Sequence, residues 1–213
     1  MPTLCYMPRT CAIGIHIILE EIGKPYDLKL VDLRKHAHLD EEYIAINPKS
    51  KVPALIRDDG SVLTEFPAIA TWLALMAPER NLLPQDPEKL ARALEMVDYV
   101  VATLHMQGWS RHWRPQHHSS IESEHPAIQA KGRDIIQKGL ALLDGRLETS
   151  DWLIGAFSIA DCALFYIEYW SADVAKWSLP TNIAVHYSRM KQRASVQRMA
   201  SAEGIAELSL QSN

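Results

Sequence analysis

The chain has 213 residues, of which 47% are hydrophobic and 23% are charged, and its formal net charge is -4. These values are ordinary for a globular protein of one large or two small domains. The negative net charge argues against a general nucleic-acid-binding surface. The sequence shows neither the pattern of a secretion signal nor an apolar run of about 18 residues, so we expect no membrane-spanning segment.

Three cysteines and a group of histidines bear on compartment and metal binding. Cys5, Cys11 and Cys162 form no Cys-x-x-Cys pair and no plausible disulfide framework, so we expect a reducing, cytoplasmic environment. The histidines lack a fixed ligand spacing or a carboxylate partner, so the sequence predicts no metal site; they are His112, His117, His118 and His125.

The first part of the chain, residues 1–78, predicts a compact α/β domain. A short strand, a helix that stops at Gly23 and a second strand form a βαβ unit with parallel strands. A short helix, a hairpin and a further helix follow. The predicted ranges are 3–7, 11–23, 26–31, 40–46, 52–57, 61–63 and 66–77.

The second part of the chain predicts only helices. Prolines and polar residues indicate a linker at residues 79–87, and no strand pattern recurs after it. Residues 88–213 therefore predict an all-helical domain. Within it, Ser158 and Asp161 fit a capping box that begins a buried helix, a structural role. The helices are expected at 88–105 or beyond, 126–147, 158–174, 182–193 and 196–202.

Cys11 follows the first strand and lies at the start of the first helix. The helix dipole and the N–H groups of the first turn favour a thiolate there, and Arg9 is a nearby cation. A buried, inert cysteine is the alternative. Cys11 is therefore a candidate reactive thiol.

The stretch from Asn47 to Ile69 predicts half of a small peptide-binding site. Pro53 opens a strand without a backbone donor, which suggests a special turn and a cis peptide bond. Such a bond would leave the Val52 backbone facing an extended peptide ligand. Glu65 places a carboxylate beside the N–H groups of a helix start.

These pieces, in this order, resemble the glutathione S-transferase family over nearly the whole chain. The family implies a thioredoxin-like N-terminal domain and an all-α C-terminal domain. Cys11 together with His105 is most similar to the bacterial beta class, in which both lie beside the glutathione sulfur. The motifs that carry the resemblance are Tyr6-Met7-Pro8-Arg9-Thr10-Cys11, His16 to Gly23, Asn47-Pro48-Lys49-Ser50-Lys51-Val52-Pro53-Ala54-Leu55, Leu63-Thr64-Glu65 and Phe157-Ser158-Ile159-Ala160-Asp161.

The resemblance implies roles for individual residues around glutathione. The Val52 backbone would pair with the cysteinyl part, and Glu65 with the Phe66 N–H would hold the γ-glutamyl end. Asp98 would reach across a dimer interface to the partner's ligand. The glycine carboxylate would be bound by one of two lysines, and the full implied set is Tyr6, Lys35, Lys51, Val52, Pro53, Glu65, Phe66 and Asp98.

Three positions depart from the family pattern. Phe66 stands where the family usually has Ser or Gly, so no hydroxyl is present to cap the helix or bind the ligand carboxylate. We expect glutathione affinity to be reduced as a result. Lys51 replaces a common Gln, which exchanges an amide for a cation, and Asp98 replaces a frequent Asn.

The resemblance also implies the catalytic residues and an acceptor pocket. Cys11 would stabilise the glutathione thiolate or form a mixed disulfide with glutathione, and His105 would tune the site or carry a proton. Aromatic walls with a cation would suit apolar electrophiles, although packing in the core is an equal alternative for each residue. The pocket candidates are Arg9, Trp109, Trp113, Arg114 and Tyr166.

The expected function is that of a glutathione transferase with glutathione as co-substrate, acting on a small electrophile or a disulfide. A glutathione-dependent isomerase or reductase on the same fold is an alternative, and so is a non-catalytic binding protein, which Phe66 favours. The resemblance implies a homodimer with a detoxification role, and the cysteines indicate the reducing cytoplasm as its setting.

Overall fold

The computed structural model describes residues 1–208, and it divides the chain into two compact units. Of these residues, one unit contains Met1–Leu83 together with residues 189–208, and the other contains Pro84–Ser188. The boundary near residue 83 falls inside the linker predicted at 79–87. The C-terminal assignment differs from the sequence prediction, which placed everything after residue 87 in the helical domain. The reason is that the last long helix, Ala194–Glu203, packs against the first, Ala12–Ile22.

The first unit is built on a four-stranded mixed sheet in the order β2-β1-β3-β4. β1 pairs in parallel with β2 and antiparallel with β3, and β3 and β4 form an antiparallel hairpin. This arrangement confirms the predicted βαβ unit and hairpin, and it is the thioredoxin-like topology. The strands are β1 Thr3–Tyr6, β2 Asp27–Leu30, β3 Ala54–Ile56 and β4 Val62–Thr64.

Three helices surround this sheet: α1 Ala12–Ile22, α2 Glu41–Ile46 and α3 Phe66–Leu75. α1 is buried along most of its length because it contacts β1, α3 and the C-terminal helix. It ends at Gly23, whose φ of 70° lies in the left-handed region and whose N–H donates to the Leu19 carbonyl. Short 3₁₀ turns at Leu33–Lys35 and Ala37–Leu39, which the sequence did not predict, connect β2 to α2.

The second unit, residues 84–188, contains helices and no strand, as predicted. Its first helical run begins as α4 Pro87–Asp98, widens into a π-helical segment at Tyr99–Trp109, and ends as α5 Ser110–Trp113. The helices that follow are α6 His125–Arg146, α7 Ile159–Tyr169 with a π-helical extension at Trp170–Val174, and α8 Thr181–Lys191, which begins in this unit. α9 Ala194–Glu203 belongs to the first unit.

α6 and the π-helical segment approach each other closely at glycine positions. A Cβ on Gly132 would lie 2.6 Å from the Gly108 carbonyl oxygen and 2.7 Å from the His112 nitrogen. Both of these atoms belong to backbone, which cannot swing aside. Gly132 is therefore required by the packing of the two helices.

The start of α7 confirms the predicted capping box. Ser158 Oγ accepts from the Ala160 N–H at 3.2 Å, and the Asp161 carboxylate accepts from the Ser158 N–H at 2.8 Å. His186 of α8, fully buried, lies 3.2 Å from Asp161 and 2.7 Å from Glu168. Burial on its own would lower the pKa of His186, but these two carboxylates raise it to about 10. Asp161 is thus part of a buried structural network.

Within residues 1–208, no helix combines the length and the apolarity that crossing a bilayer would require.

Candidate functional site

Cys11 sits at the junction of β1 and α1, as the sequence predicts. It occupies the N-cap position of α1, and its side chain makes no capping hydrogen bond. The cap is supplied instead by Thr10, whose Oγ1 accepts from the Ala12 N–H at 3.3 Å and donates to the Met7 carbonyl at 2.7 Å. Cys11 is 7% exposed, and its thiol donates to the Val52 carbonyl oxygen at 3.9 Å. The candidate reactive thiol is therefore in contact with the candidate peptide-binding edge.

The loop that carries Val52 is fixed by buried polar groups. The Val52–Pro53 peptide bond is cis, which confirms the prediction. The Lys51 carbonyl accepts from Asn47 Nδ2 at 2.8 Å and from the Tyr43 hydroxyl at 2.6 Å. Burial, reinforced by the nearby Cys5, raises the pKa of Tyr43 to about 12, so this donor stays protonated at neutral pH.

Glu65 occupies the N-cap position of α3 with φ of 72° and ψ of 125°, an uncommon conformation for a residue other than glycine. Its carboxylate is exposed and accepts from Lys49 Nζ at 2.7 Å, and the same ammonium lies 2.9 Å from Thr64 Oγ1. Phe66 is 4% exposed, so its side chain packs into the core. The contact with Lys49 was missed from the sequence, where only the position of Lys49 in the turn before Val52 could have suggested it.

The remaining glutathione candidates of the first unit differ in exposure. Tyr6 is 8% exposed, and burial together with Glu203 raises the pKa of its hydroxyl. Lys35 is exposed and lies 3.8 Å from Asp32. Lys51 is exposed as well, while its carbonyl anchors the loop.

The C-terminal segment of the first unit contacts the turn that precedes Cys11. Two of the three guanidinium nitrogens of Arg9 contact Glu207, at 2.5 and 3.0 Å, and the Arg9 backbone lies near the Glu203 carboxylate. Glu203 also pairs with the buried His16 at 2.7 Å. Burial raises the pKa of Glu203, which the His16 hydrogen bond partly opposes. These contacts, absent from the sequence prediction, hold a turn in which Arg9 has φ of 68°.

His105 lies on the π-helical segment of the second unit in an aromatic environment. Its Nδ1 is 3.5 Å from the Tyr166 hydroxyl, and its ring lies 4.9 Å from Trp170 in an edge-on arrangement. Asp98 ends α4 with an exposed side chain.

The predicted acceptor-pocket residues of the second unit fall into two groups. Trp109 and Tyr166 are fully buried, and the Trp109 ring stacks on Trp177 at 5.0 Å between centroids. Burial favours the alternative of core packing for these two. Trp113 is 41% exposed and Arg114 is exposed, so both remain candidates for binding a ligand.

No group of three or more His, Cys, Asp or Glu side chains among residues 1–208 is arranged to hold a metal ion.

Comparison with known proteins identifies the family. The family model described as glutathione S-transferase, N-terminal domain, matches residues 9–75. Glutathione S-transferase GstA of Escherichia coli O157:H7 is 36% identical over 207 residues, which cover 95% of this chain and 98% of the relative.

Solved structures agree. A Sulfitobacter glutathione transferase homologue with bound glutathione has a TM-score of 0.88 and 28% identity, over 96% of this chain and 99% of that chain. A bacterial beta-class glutathione S-transferase from Sphingomonas chungbukensis has a TM-score of 0.81 and 27% identity, over 96% and 100%. The chain belongs to the glutathione S-transferase family.

Proposed function

We propose that this glutathione transferase binds glutathione along the Val52–Pro53 edge, with the glutathione sulfur beside Cys11. The observation that carries the proposal is the contact between Cys11 Sγ and the Val52 carbonyl oxygen. An extended peptide that pairs with the Val52 backbone would have its central residue at this thiol. Glutathione is a short peptide whose central residue is the cysteine.

The ends of the ligand would be bound by charged groups. Glu65 would accept from the α-ammonium of the γ-glutamyl residue, and the start of α3 favours an anion next to it. Lys35 and Lys51 are exposed cations available for the glycine carboxylate. Tyr6 and Pro53 would contribute to the wall of the cleft.

Two reactions are compatible with a cysteine at this position. In conjugation, the glutathione thiolate attacks an electrophilic carbon, a C–S bond forms, and a leaving group such as chloride departs with the bonding electrons. In disulfide exchange, a thiolate attacks one sulfur of a disulfide and the other sulfur leaves as a thiolate. The α1 dipole would favour the thiolate form of Cys11 by about 0.3–1 kcal/mol. This thiolate would attack one sulfur of a glutathione disulfide, forming a mixed disulfide with glutathione while the other sulfur leaves as a thiolate.

His105 is proposed to tune the site or to carry a proton, with the Tyr166 hydroxyl as its neighbour. Trp113 and Arg114 are the exposed candidates for contacting the acceptor substrate. A homodimer, in which Asp98 contacts the ligand bound to the partner subunit, completes the proposal. A reducing, cytoplasmic setting is supported by three cysteines that form no disulfide. A role in detoxification is part of the same proposal.

The experiment that tests this function compares Cys11→Ala and Cys11→Ser with the wild type. Activity is measured with an aryl chloride, a maleyl compound and hydroxyethyl disulfide, and mass spectrometry follows the glutathione adduct after treatment with oxidised glutathione. Cys162→Ala, at a fully buried cysteine of α7, is the matched control and keeps both activity and adduct. We expect both Cys11 variants to lose the adduct and the disulfide activity.

The outcomes separate the alternatives. Full activity and no change in adduct formation in Cys11→Ala removes Cys11 from the mechanism. Turnover of the maleyl compound alone makes the protein an isomerase that uses glutathione as a recycled cofactor. Calorimetry that detects no binding at millimolar glutathione supports a non-catalytic protein and overturns the transferase proposal.

A further inference from the structure

The ammonium group of Lys49 lies directly beside Glu65, the acidic residue of the candidate γ-glutamyl site. Its ammonium lies 2.7 Å from Glu65 Oε1 and 2.9 Å from Thr64 Oγ1. The γ-glutamyl end of glutathione carries an α-ammonium and an α-carboxylate on one carbon. Glu65 therefore offers a negative group to the α-ammonium of the ligand, and Lys49 offers a positive group to its α-carboxylate.

The backbone of Lys49 is held in place before any ligand binds. The Lys49 N–H donates to Asn47 Oδ1 at 3.1 Å, and Asn47 Nδ2 donates to the Lys51 carbonyl at 2.8 Å. Asn47 is only 1% exposed, so both contacts are shielded from water. The side chain of Lys49, by contrast, is 53% exposed and can change its rotamer.

The ion pair itself is easily rearranged. The side chains of Lys49 and Glu65 are 53% and 59% exposed, and exposed ion pairs contribute little to stability because water solvates both partners. A bound ammonium can therefore share the Glu65 carboxylate while Lys49 turns toward the ligand's carboxylate at little cost. Such a charge-assisted contact is stronger than one between neutral groups.

Phe66 makes this contact important. It occupies the first position of α3, where its buried phenyl ring supplies no hydroxyl to the ligand carboxylate. Building on the proposed function, we propose that Lys49 binds the α-carboxylate of the γ-glutamyl residue and so determines specificity for an intact amino-acid zwitterion at that end.

Binding of three ligands to full-length protein by calorimetry tests the proposal. The ligands are glutathione, an analogue without the α-carboxylate and an analogue without the α-ammonium. We expect Lys49→Met to weaken glutathione binding about tenfold, equivalent to about 1.4 kcal/mol, and to leave the affinity of the analogue without the carboxylate unchanged. Lys49→Arg keeps the cation and retains affinity within about threefold.

Two controls isolate the effect of the charge. Lys138→Met removes another exposed, ion-paired lysine, that of the Asp134 pair, and binds all three ligands as the wild type does. In the wild type, loss of the α-carboxylate from the ligand lowers affinity by at least the same factor as Lys49→Met, because it removes the Lys49 contact and also the favourable interaction with the start of α3.

The results that overturn the proposal are distinct from failure of the glutathione site. Wild-type protein that binds no glutathione overturns the proposed function and the role of Lys49 together. If the wild type binds glutathione and Lys49→Met binds it equally or more tightly, only the role of Lys49 is overturned. Equal weakening for glutathione and for the analogue without the carboxylate also overturns it, because the effect then does not involve that group.

Discussion

Two charged clusters of this protein differ in burial, and that difference separates structure from function. In the second unit, His186 lies fully buried between Asp161 and Glu168. Removing one charge from this cluster would leave another buried without a partner, which is energetically costly. In the first unit, Lys49 and Glu65 form an ion pair in contact with solvent at a strained helix start. The buried cluster holds helices together, whereas the exposed cluster can exchange its partners for those of a ligand.

The largest expected effect is at the buried cluster. His186→Phe should lower the free energy of unfolding by about 3–5 kcal/mol, because it leaves two carboxylates in the core without their cation. Urea denaturation followed by circular dichroism measures the change. Lys138→Met, which removes an exposed ion-paired lysine, serves as the control and should unfold like the wild type. A His186 variant of wild-type stability would refute the structural role given to this network.

The same cluster predicts a pH dependence. The pKa of His186 is raised to about 10 by its carboxylate neighbours, whereas an unfolded histidine has a pKa of about 6.5. The folded state therefore binds the proton more tightly. The stabilisation is complete below about pH 6.5 and decreases as the pH rises toward 10.

Unfolding measured from pH 6 to 10 should show this loss in the wild type. In His186→Phe the slope of stability against pH should be smaller over that range. Identical slopes in the two proteins would contradict the coupling between His186 and its carboxylates.

The packing of the second unit gives the next effect. Gly132→Ala should destabilise the protein by about 1–3 kcal/mol because the added methyl group would meet backbone at 2.6 Å. Gly145→Ala on the same helix is the matched control, since a Cβ there meets nothing within 4 Å, and it should be neutral or slightly stabilising. Thermal unfolding of the two variants distinguishes steric conflict from helix propensity. Equal melting temperatures would show that α6 can shift away from its neighbour.

The sequence predicts the fold where local patterns are strong. Helical spacing with a terminal Gly23 marks α1, and the Asp58-Asp59-Gly60 turn marks the β3–β4 hairpin. The π-helical stretch at Tyr99–Trp109 leaves no such signal, since only the backbone hydrogen-bond register changes. The grouping of α9 with the first unit was likewise missed, because the amphipathic pattern of a helix does not indicate which other helix its apolar face packs against.

The candidate site divides in the same way. Cys11, Val52 and Glu65 are recognisable because each stands at a turn or a helix start with its own chemical signature. The burial of Trp109 could not be predicted from the sequence, because an aromatic residue in a helix suits a core and a pocket wall equally well. The contacts of Arg9 with Glu203 and Glu207 join residues nearly 200 positions apart, so no local pattern contains them.

The smallest expected effect is at Glu207, which is best compared with Glu203 of the same segment. Glu207 is partly exposed and pairs with an exposed Arg9, so Glu207→Gln should lower stability by less than about 1 kcal/mol. Glu203 has a fully buried side chain and bonds to His16, so Glu203→Gln should cost more, about 1–3 kcal/mol. Both changes preserve side-chain shape, and urea denaturation compares them directly. Because the two residues lie four positions apart in one unit, equal losses would show that burial does not separate the two kinds of charged cluster.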